Sequence, residues 1–141
     1  MSKIGAADAD AIARAMVRAD VAGLRNRIAT ELSGGERARV LLARALAVEA
    51  RGLIADEPLA SLDPGHQIDV MELLRAEADA GKLVIAVLHD LTMAARYCDR
   101  LLVIDRGTIF ADGTPREVLT PDLLRAVYGI DARIETGGDW P

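Results

Sequence analysis

The apolar residues of the chain follow two different spacings. Gly52–Ala55 and Leu83–Leu88 are short apolar runs without polar alternation, which is typical of strands covered on both faces of a parallel sheet. A third short apolar run, Leu101–Ile104, also predicts a strand. Segments with helical periodicity lie between these strands. Because strands alternate with helices, the pattern predicts an α/β fold with a mainly parallel sheet flanked by helices.

The helical segments are delimited by capping residues and glycines. Asp63 as N-cap with Pro64 in the first turn begins a helix that should end near Gly81. Thr114 with Glu117 is a capping box that begins another. The remaining predicted elements are helices over Asp8–Ala22, Arg37–Glu49, Leu91–Asp99 and Pro121–Gly129, a hairpin return strand over Ile109–Ala111 and a short strand over Ala132–Glu135.

Composition narrows the class of protein. The chain has 141 residues, enough for one domain with a modest core, and its net charge of -5 argues against a nucleic-acid surface. No apolar run approaches the roughly 18 residues that a membrane span needs, and the first residues lack the apolar region of a signal peptide. The single cysteine, Cys98, excludes an intramolecular disulfide and fits a reducing compartment. We therefore expect a cytoplasmic protein.

The stretch Leu32–Glu36 carries the first chemical signal. Ser33 and Glu36 have the spacing of a capping box, so a helix should begin here with its N–H groups pointing outward. The adjacent glycines Gly34 and Gly35 let the backbone approach a ligand closely. A helix N-terminus with free donors suits a phosphate, although this stretch taken alone favours a plain glycine-rich turn that caps a helix.

Acidic and imidazole side chains follow two of the predicted strands. Asp56 and Glu57 follow one strand, and His89 follows the next. The carboxyl ends of parallel strands share one edge, where α/β proteins bind ligands. An acid there suits Mg²⁺, and a second acid can orient or deprotonate a water. Asp56, Glu57 and His89 could each instead be an ordinary turn or cap residue. Asp63 needs no role beyond capping its helix. His66, in the first turn of that helix, is expected to be a solvated surface residue.

Taken together, four motifs resemble those of ABC-type ATPases, in the order and spacing of that family. The signature motif is Leu32-Ser33-Gly34-Gly35-Glu36, the Walker B strand is Gly52–Pro58, the D-loop is Ser61-Leu62-Asp63 and the switch histidine is His89. Two positions depart mildly from the family pattern, Leu59 where threonine is frequent and Glu36 where glutamine is frequent. The resemblance implies the fold of a P-loop NTPase-type sheet with a small C-terminal hairpin.

The resemblance also implies roles for these residues with ATP and Mg²⁺ as cofactors. Asp56 would hold Mg²⁺ through water, Glu57 would polarise the hydrolytic water, and His89 would contact the γ-phosphate. The nucleotide-binding stretch Ser33, Gly34, Gly35 and Glu36 would close over the γ-phosphate of ATP bound to a second nucleotide-binding subunit. Asp63 would act across the same dimer interface.

One family motif is absent from the 141 residues. The glycine-rich phosphate loop G-x-x-x-x-G-K-[ST] (Walker A) occurs nowhere in them. We therefore interpret residues 1–31 as the remnant of a helical subdomain, residues 32–130 as the C-terminal half of an ABC ATPase core and residues 131–141 as a tail. An N-terminal half with the phosphate loop is then an expected partner, and the chain alone is expected to be inactive.

The last part of the sequence indicates a class of transporter within this family. Arg116–Pro121 followed by Val127–Ile130 is similar to importers of iron-siderophore, haem or cobalamin. This implies an ATPase subunit bound to transmembrane permease subunits at the inner face of a bacterial membrane. Two alternatives stay open. One is an ATPase of chromosome structure or DNA repair, although the chain from Glu36 to Asp56 is too short for the insertion these carry. The other is a non-catalytic fragment without a phosphate loop.

Overall fold

The computed structural model describes residues 5–132, which form two compact units that meet in sequence at Leu88 and His89. None of the helices within residues 5–132 is long and apolar enough to cross a membrane. The first unit contains α1 (Ala6–Arg18), short 3₁₀ turns at Ala22–Leu24 and Ala29–Glu31, α2 (Gly34–Leu46), β1 (Gly52–Asp56), α3 (Pro64–Asp79) and β2 (Leu83–Val87). Helices and strands alternate here as predicted.

Small apolar residues bring the helices of the first unit together. Ala19 and Val21, just after α1, pack with Ala43 of α2 in one buried cluster. Leu73 of α3 contacts the same cluster, so three helices share it. The predicted helix over Asp8–Ala22 is therefore real, but it begins two residues earlier and ends at Arg18, where the chain turns at Asp20 with φ +53°.

The two strands of the first unit pair in parallel. Ile54 lies opposite Ile85 in the register, and Asp56 lies opposite Val87. One face of this pair is open, because Ile54 is 76% exposed and Leu83 is 65% exposed. The prediction that these strands are covered on both faces is therefore wrong for residues 5–132. The apolar runs predict faces suited to burial, and within this part of the chain only one face is packed.

Association of the 141-residue chain through β2 is an expected result of this open sheet. Within residues 5–132, β2 pairs only with β1, so its other edge carries unpaired backbone groups beside an exposed apolar face. We expect sedimentation velocity to show self-association, and Ile85→Lys to restore a monomer because a charge on an edge blocks pairing. Ile109→Lys, at an equally apolar exposed position of the second unit, is the control. A stable monomer with well-protected amides over Val84–Val87 would contradict this account.

A buried carboxylate joins three segments of the first unit. Glu77 of α3 is 1% exposed and forms ion pairs with Arg18 at the end of α1 and with Lys82 before β2. The Lys82 Nζ lies 2.8 Å from Glu77 Oε2. Burial lowers the pKa of Lys82, with the nearby charge of Arg18 adding to the effect. Glu77 therefore supplies the counter-charge for both cations.

Replacing Glu77 by alanine should lower the free energy of unfolding by about 3 kcal/mol, because removal of one partner leaves buried charge uncompensated. Urea denaturation measures the difference. The matched control is Asp79→Ala on the same helix, whose pair with Arg75 is exposed and should contribute less than about 0.5 kcal/mol. Equal effects of the two substitutions would show that the ion pairs of Glu77 with Arg18 and Lys82, here called the Glu77 cluster, stabilise the fold no more than an exposed pair does.

The second unit is a hairpin packed with short helices. It contains α4 (Leu91–Tyr97), β3 (Leu101–Asp105), β4 (Thr108–Gly113), α5 (Pro115–Val118), α6 (Pro121–Leu123) and a π-helical turn at Leu124–Tyr128. The two strands are antiparallel around a turn at Arg106 and Gly107, which both have positive φ. Val103, Val118, Leu123 and Leu124 form the buried core.

The predicted elements of the second unit are confirmed with shifted bounds. The hairpin was predicted with a return strand over Ile109–Ala111, and the structure extends it to Thr108–Gly113. The capping box is present, since the Thr114 N–H donates to Glu117 Oε2 at 2.9 Å. The single helix predicted over Pro121–Gly129 is instead α6 followed by the π-helical turn. The strand predicted over Ala132–Glu135 falls almost wholly outside the described residues.

Candidate functional site

The turn into α2 has the predicted capping box. The Glu36 N–H donates to Ser33 Oγ at 3.2 Å, and the Ser33 N–H donates to Glu36 Oε2 at 2.8 Å. The hydrogen bond from the Ser33 backbone lowers the pKa of Glu36, and the Ser33 side chain adds to this effect. Glu36 thus stays ionised to lower pH in the folded chain than in the unfolded chain. The capping box orients the first turn of a 13-residue helix.

The two glycines of this turn face the segment that begins α3. A Cβ built on Gly34 would lie 3.8 Å from the backbone oxygen of Ser61, an ordinary contact distance. A Cβ built on Gly35 would lie 1.9 Å from Cδ2 of His66, far inside contact distance. Gly34 is exposed and Gly35 is buried. The signature turn and the start of α3 are therefore packed against each other.

Asp56 and Glu57 lie at the carboxyl end of β1, as predicted, and both are exposed. The Glu57 N–H donates to the backbone oxygen of Val87 at 3.2 Å, which ties this end of β1 to the end of β2. Glu57 has φ +47°, a left-handed backbone that non-glycine residues adopt at a cost. The chain thus turns sharply at the second acid while the strand pairing is maintained.

The loop between β1 and α3 is held from the first turns of α3. The Gln67 side chain donates from Nε2 to the backbone oxygen of Leu62 at 3.2 Å and also lies near that of Leu59. Asp63 caps α3 by accepting the His66 N–H at 3.1 Å, which confirms the predicted cap. Leu59, a residue of this loop, is buried. The loop therefore has a defined path despite its positive φ at Ser61.

The first unit contains all the predicted site residues except one. It contains the signature turn, the acid pair after β1 and the cap of α3, in one compact unit. His89 belongs to the second unit, where it is exposed and immediately precedes Asp90. Asp90 caps α4 by accepting the Thr92 N–H at 2.8 Å. The chemical role predicted for each of these residues stays a prediction.

The acid pair after β1 offers Mg²⁺ only a few protein ligands. Within residues 5–132, no group of three or more His, Cys, Asp or Glu side chains could hold a metal ion. Mg²⁺ is bound in nucleotide sites by one or two carboxylates together with waters and phosphate oxygens. An exposed Asp56 at a strand end fits that limited requirement. The residues present are therefore compatible with Mg²⁺ that a nucleotide brings to the site.

Sequence reasoning missed the two residues of α3 that organise this site. His66 was expected to be a solvated surface residue, which is only partly correct, because its side chain is 34% exposed and its ring packs on Gly35. Gln67 received no role, yet it holds the loop after Glu57. Their position in the sequence could have indicated these roles. Both residues follow the Asp63 cap within the first helical turn, where side chains point back toward the preceding loop.

Comparisons with known proteins agree with the motifs. The family model described as "ABC transporter" matches residues 3–60. The cobalamin import ATP-binding protein of Halobacterium salinarum is 52% identical, covering 94% of this chain and 33% of its own length. The hemin import ATP-binding protein of Rhodococcus jostii is 52% identical, covering 86% of this chain and 42% of its own length.

Solved structures show the same likeness in three dimensions. A metal-chelate type ABC transporter in an inward-facing conformation superposes with a TM-score of 0.85 at 26% identity, covering 93% of this chain and 53% of that chain. This similarity agrees with the predicted α/β fold. The chain spans roughly a third to a half of the length of the curated relatives described above.

Proposed function

Since the chain belongs to the ABC transporter family, we propose that it is part of the ATP-binding and ATP-hydrolysing subunit of a bacterial ABC importer. In this proposal, ATP hydrolysis drives uptake of an iron chelate, haem or cobalamin. The observation that carries the proposal is the capping box at Ser33–Glu36, which presents an ordered helix N-terminus beside the α3 cap in the same unit as the acid pair. The names of the two curated relatives support the importer class.

The proposed chemistry divides between the start of α2 and the acid pair after β1. The amide groups at the start of α2 carry partial positive charge and suit the γ-phosphate of ATP held by a second nucleotide-binding subunit. Glu57 is the candidate to accept a proton from, or orient, the attacking water. Mg²⁺ bound near Asp56 would neutralise phosphate charge during the reaction. His89 is the candidate contact for the γ-phosphate, and Asp63 for the partner subunit across the dimer.

The proposed partners follow from the importer class. They are a second nucleotide-binding subunit, transmembrane permease subunits and a segment with a phosphate loop. The chain would then work in the cytoplasm, attached to the inner face of the membrane through the permease. No nucleic-acid partner is proposed, in keeping with the net charge of -5.

The 141-residue chain by itself should not hydrolyse ATP. It lacks the glycine-rich loop and lysine that hold the phosphates in this family, so the acid pair has no substrate placed beside it. The measurement is phosphate release by purified chain. Steady turnover that Glu57→Gln abolishes would contradict the prediction, because it would place a complete site within these residues.

A chimera provides the positive arm of the test. In it, a segment with a glycine-rich phosphate loop, taken from another ABC-type ATPase, precedes this chain. We expect Mg²⁺-dependent ATP turnover to return in the chimera. A folded chimera that binds ATP and does not hydrolyse it would contradict the proposed function and favour a binding fragment.

A further inference from the structure

The ring of His66 occupies the space that a side chain at position 35 would need. A Cβ on Gly35 would lie 1.9 Å from Cδ2, 2.3 Å from Nε2 and 2.4 Å from Cγ of His66. Real Cβ atoms do not approach other atoms this closely, and the collision involves the inner ring atom as well as the outer ones. A side chain at position 35 therefore forces the His66 ring or the helix to shift, whatever ligand the turn binds.

Two carboxylates lie beside the ring nitrogens. His66 Nδ1 lies 3.4 Å from Asp69 Oδ2, and Nε2 lies 3.7 Å from Asp63 Oδ2. Asp69 also pairs with Arg39 of α2, whose Nη1 lies 3.3 Å from the same oxygen. The ring thus lies beside carboxylates of α3 and of its cap, and the Arg39–Asp69 pair joins α2 to α3 one turn beyond Gly35.

We propose that His66 is a positioning residue, which sets the place of the signature turn against the first turn of α3 and its Asp63 cap. Ser33 to Glu36 and the loop ending at Asp63 then move as one body, because the ring contacts the first segment and belongs to the helix that Asp63 caps. The contact is independent of the proposed function, whereas its consequence for nucleotide binding rests on that function.

The contact between Gly35 and His66 is tested in the 141-residue chain by the change in melting temperature that Gly35→Ala causes, which should reverse its sign when His66 is removed. With His66 present, Gly35→Ala should lower the melting temperature by roughly 3–8 °C, because overpacking forces the ring or the helix to shift. In a His66→Ala background the same substitution should raise it by about 3 °C, because alanine is the better helix former once the space is free. An equal effect of Gly35→Ala in both backgrounds would overturn the proposal.

Further variants separate the ring from its carboxylate neighbours and control for helix propensity. His66→Phe keeps a planar ring and loses both nitrogens, so Gly35→Ala should remain destabilising in that background. Gly34→Ala, whose Cβ meets only Ser61 at 3.8 Å, should have the same effect with and without His66. A reversal of sign at Gly34 as well would show that removal of His66 changes the helix generally, and would overturn the specific contact.

Amide exchange tests positioning apart from stability. We expect His66→Ala to speed exchange at the Glu36 and Arg37 amides about tenfold relative to amides of the Glu77 cluster. His66→Phe should leave these rates near those of the unchanged chain, since its ring still covers Gly35. Uniform acceleration across the first unit would overturn a positioning role, because it would indicate only a loss of global stability.

Discussion

Glu57→Gln should lower ATP turnover by about 10²- to 10⁴-fold in the chimera with a phosphate loop, which is the usual contribution of a positioned general base. ATP binding should persist, because the substitution keeps the size of the side chain and leaves the phosphate contacts in place. Initial-rate phosphate release and nucleotide titration measure the two quantities separately.

The position of Glu57 makes this residue a stronger candidate than other acids nearby. It follows β1 directly, and its N–H is tied to Val87 at the end of β2. The matched control is Glu72→Gln, which removes one exposed carboxylate from the middle of α3. Near-normal turnover in Glu57→Gln would identify Glu57 as a structural acid of the turn.

Gly35→Asp should block ATP-driven dimerisation of the same chimera. The substitution puts a negative charge at the N-terminus of α2, where the partner's γ-phosphate is proposed to bind, and it also collides with the His66 ring. Sedimentation with ATP in the Glu57→Gln background, where bound ATP is not consumed, measures the dimer. Gly23→Asp is the control, because a Cβ there meets nothing within 4 Å.

Removal of the ring distinguishes the two causes. In Gly35→Asp with His66→Ala the collision is relieved while the charge remains. Dimerisation should therefore stay blocked if the turn binds phosphate in the partner. Recovery of the dimer would show that Gly35 serves only the contact with His66, and would remove the main support for a phosphate site at this turn.

Local signals predicted the starts of α2 and α3 well, because a helix cap depends on neighbouring residues alone. The capping box of Ser33 and Glu36 requires two residues three apart, and the cap by Asp63 requires the same spacing. The open face of β2 could not be predicted in this way. Apolar character at Leu83 and Ile85 shows that a face can be buried, and only the packing partner decides whether it is.

The contacts that organise the site were less predictable than its chemical residues. The acid pair is recognisable because a short apolar run precedes it. The place of His66 depends on how α2 packs on α3, and the apolar pattern of either helix leaves that crossing undetermined. A ring packed on a glycine also leaves no trace in hydrophobic periodicity, so the residue that fixes the signature turn resembles any polar residue at a helix start.

The left-handed backbone of Glu57 has a consequence for thermostabilisation. At φ +47° glycine or asparagine is the less strained choice, and glycine would relieve about 1 kcal/mol of conformational cost. A directed-evolution library screened only for heat resistance would therefore favour replacing the acid proposed to perform the chemistry. The residue that favours stability at position 57 differs from the one proposed to favour turnover. Engineering for heat resistance should therefore keep Glu57 and substitute exposed apolar residues of β1 and β2 instead.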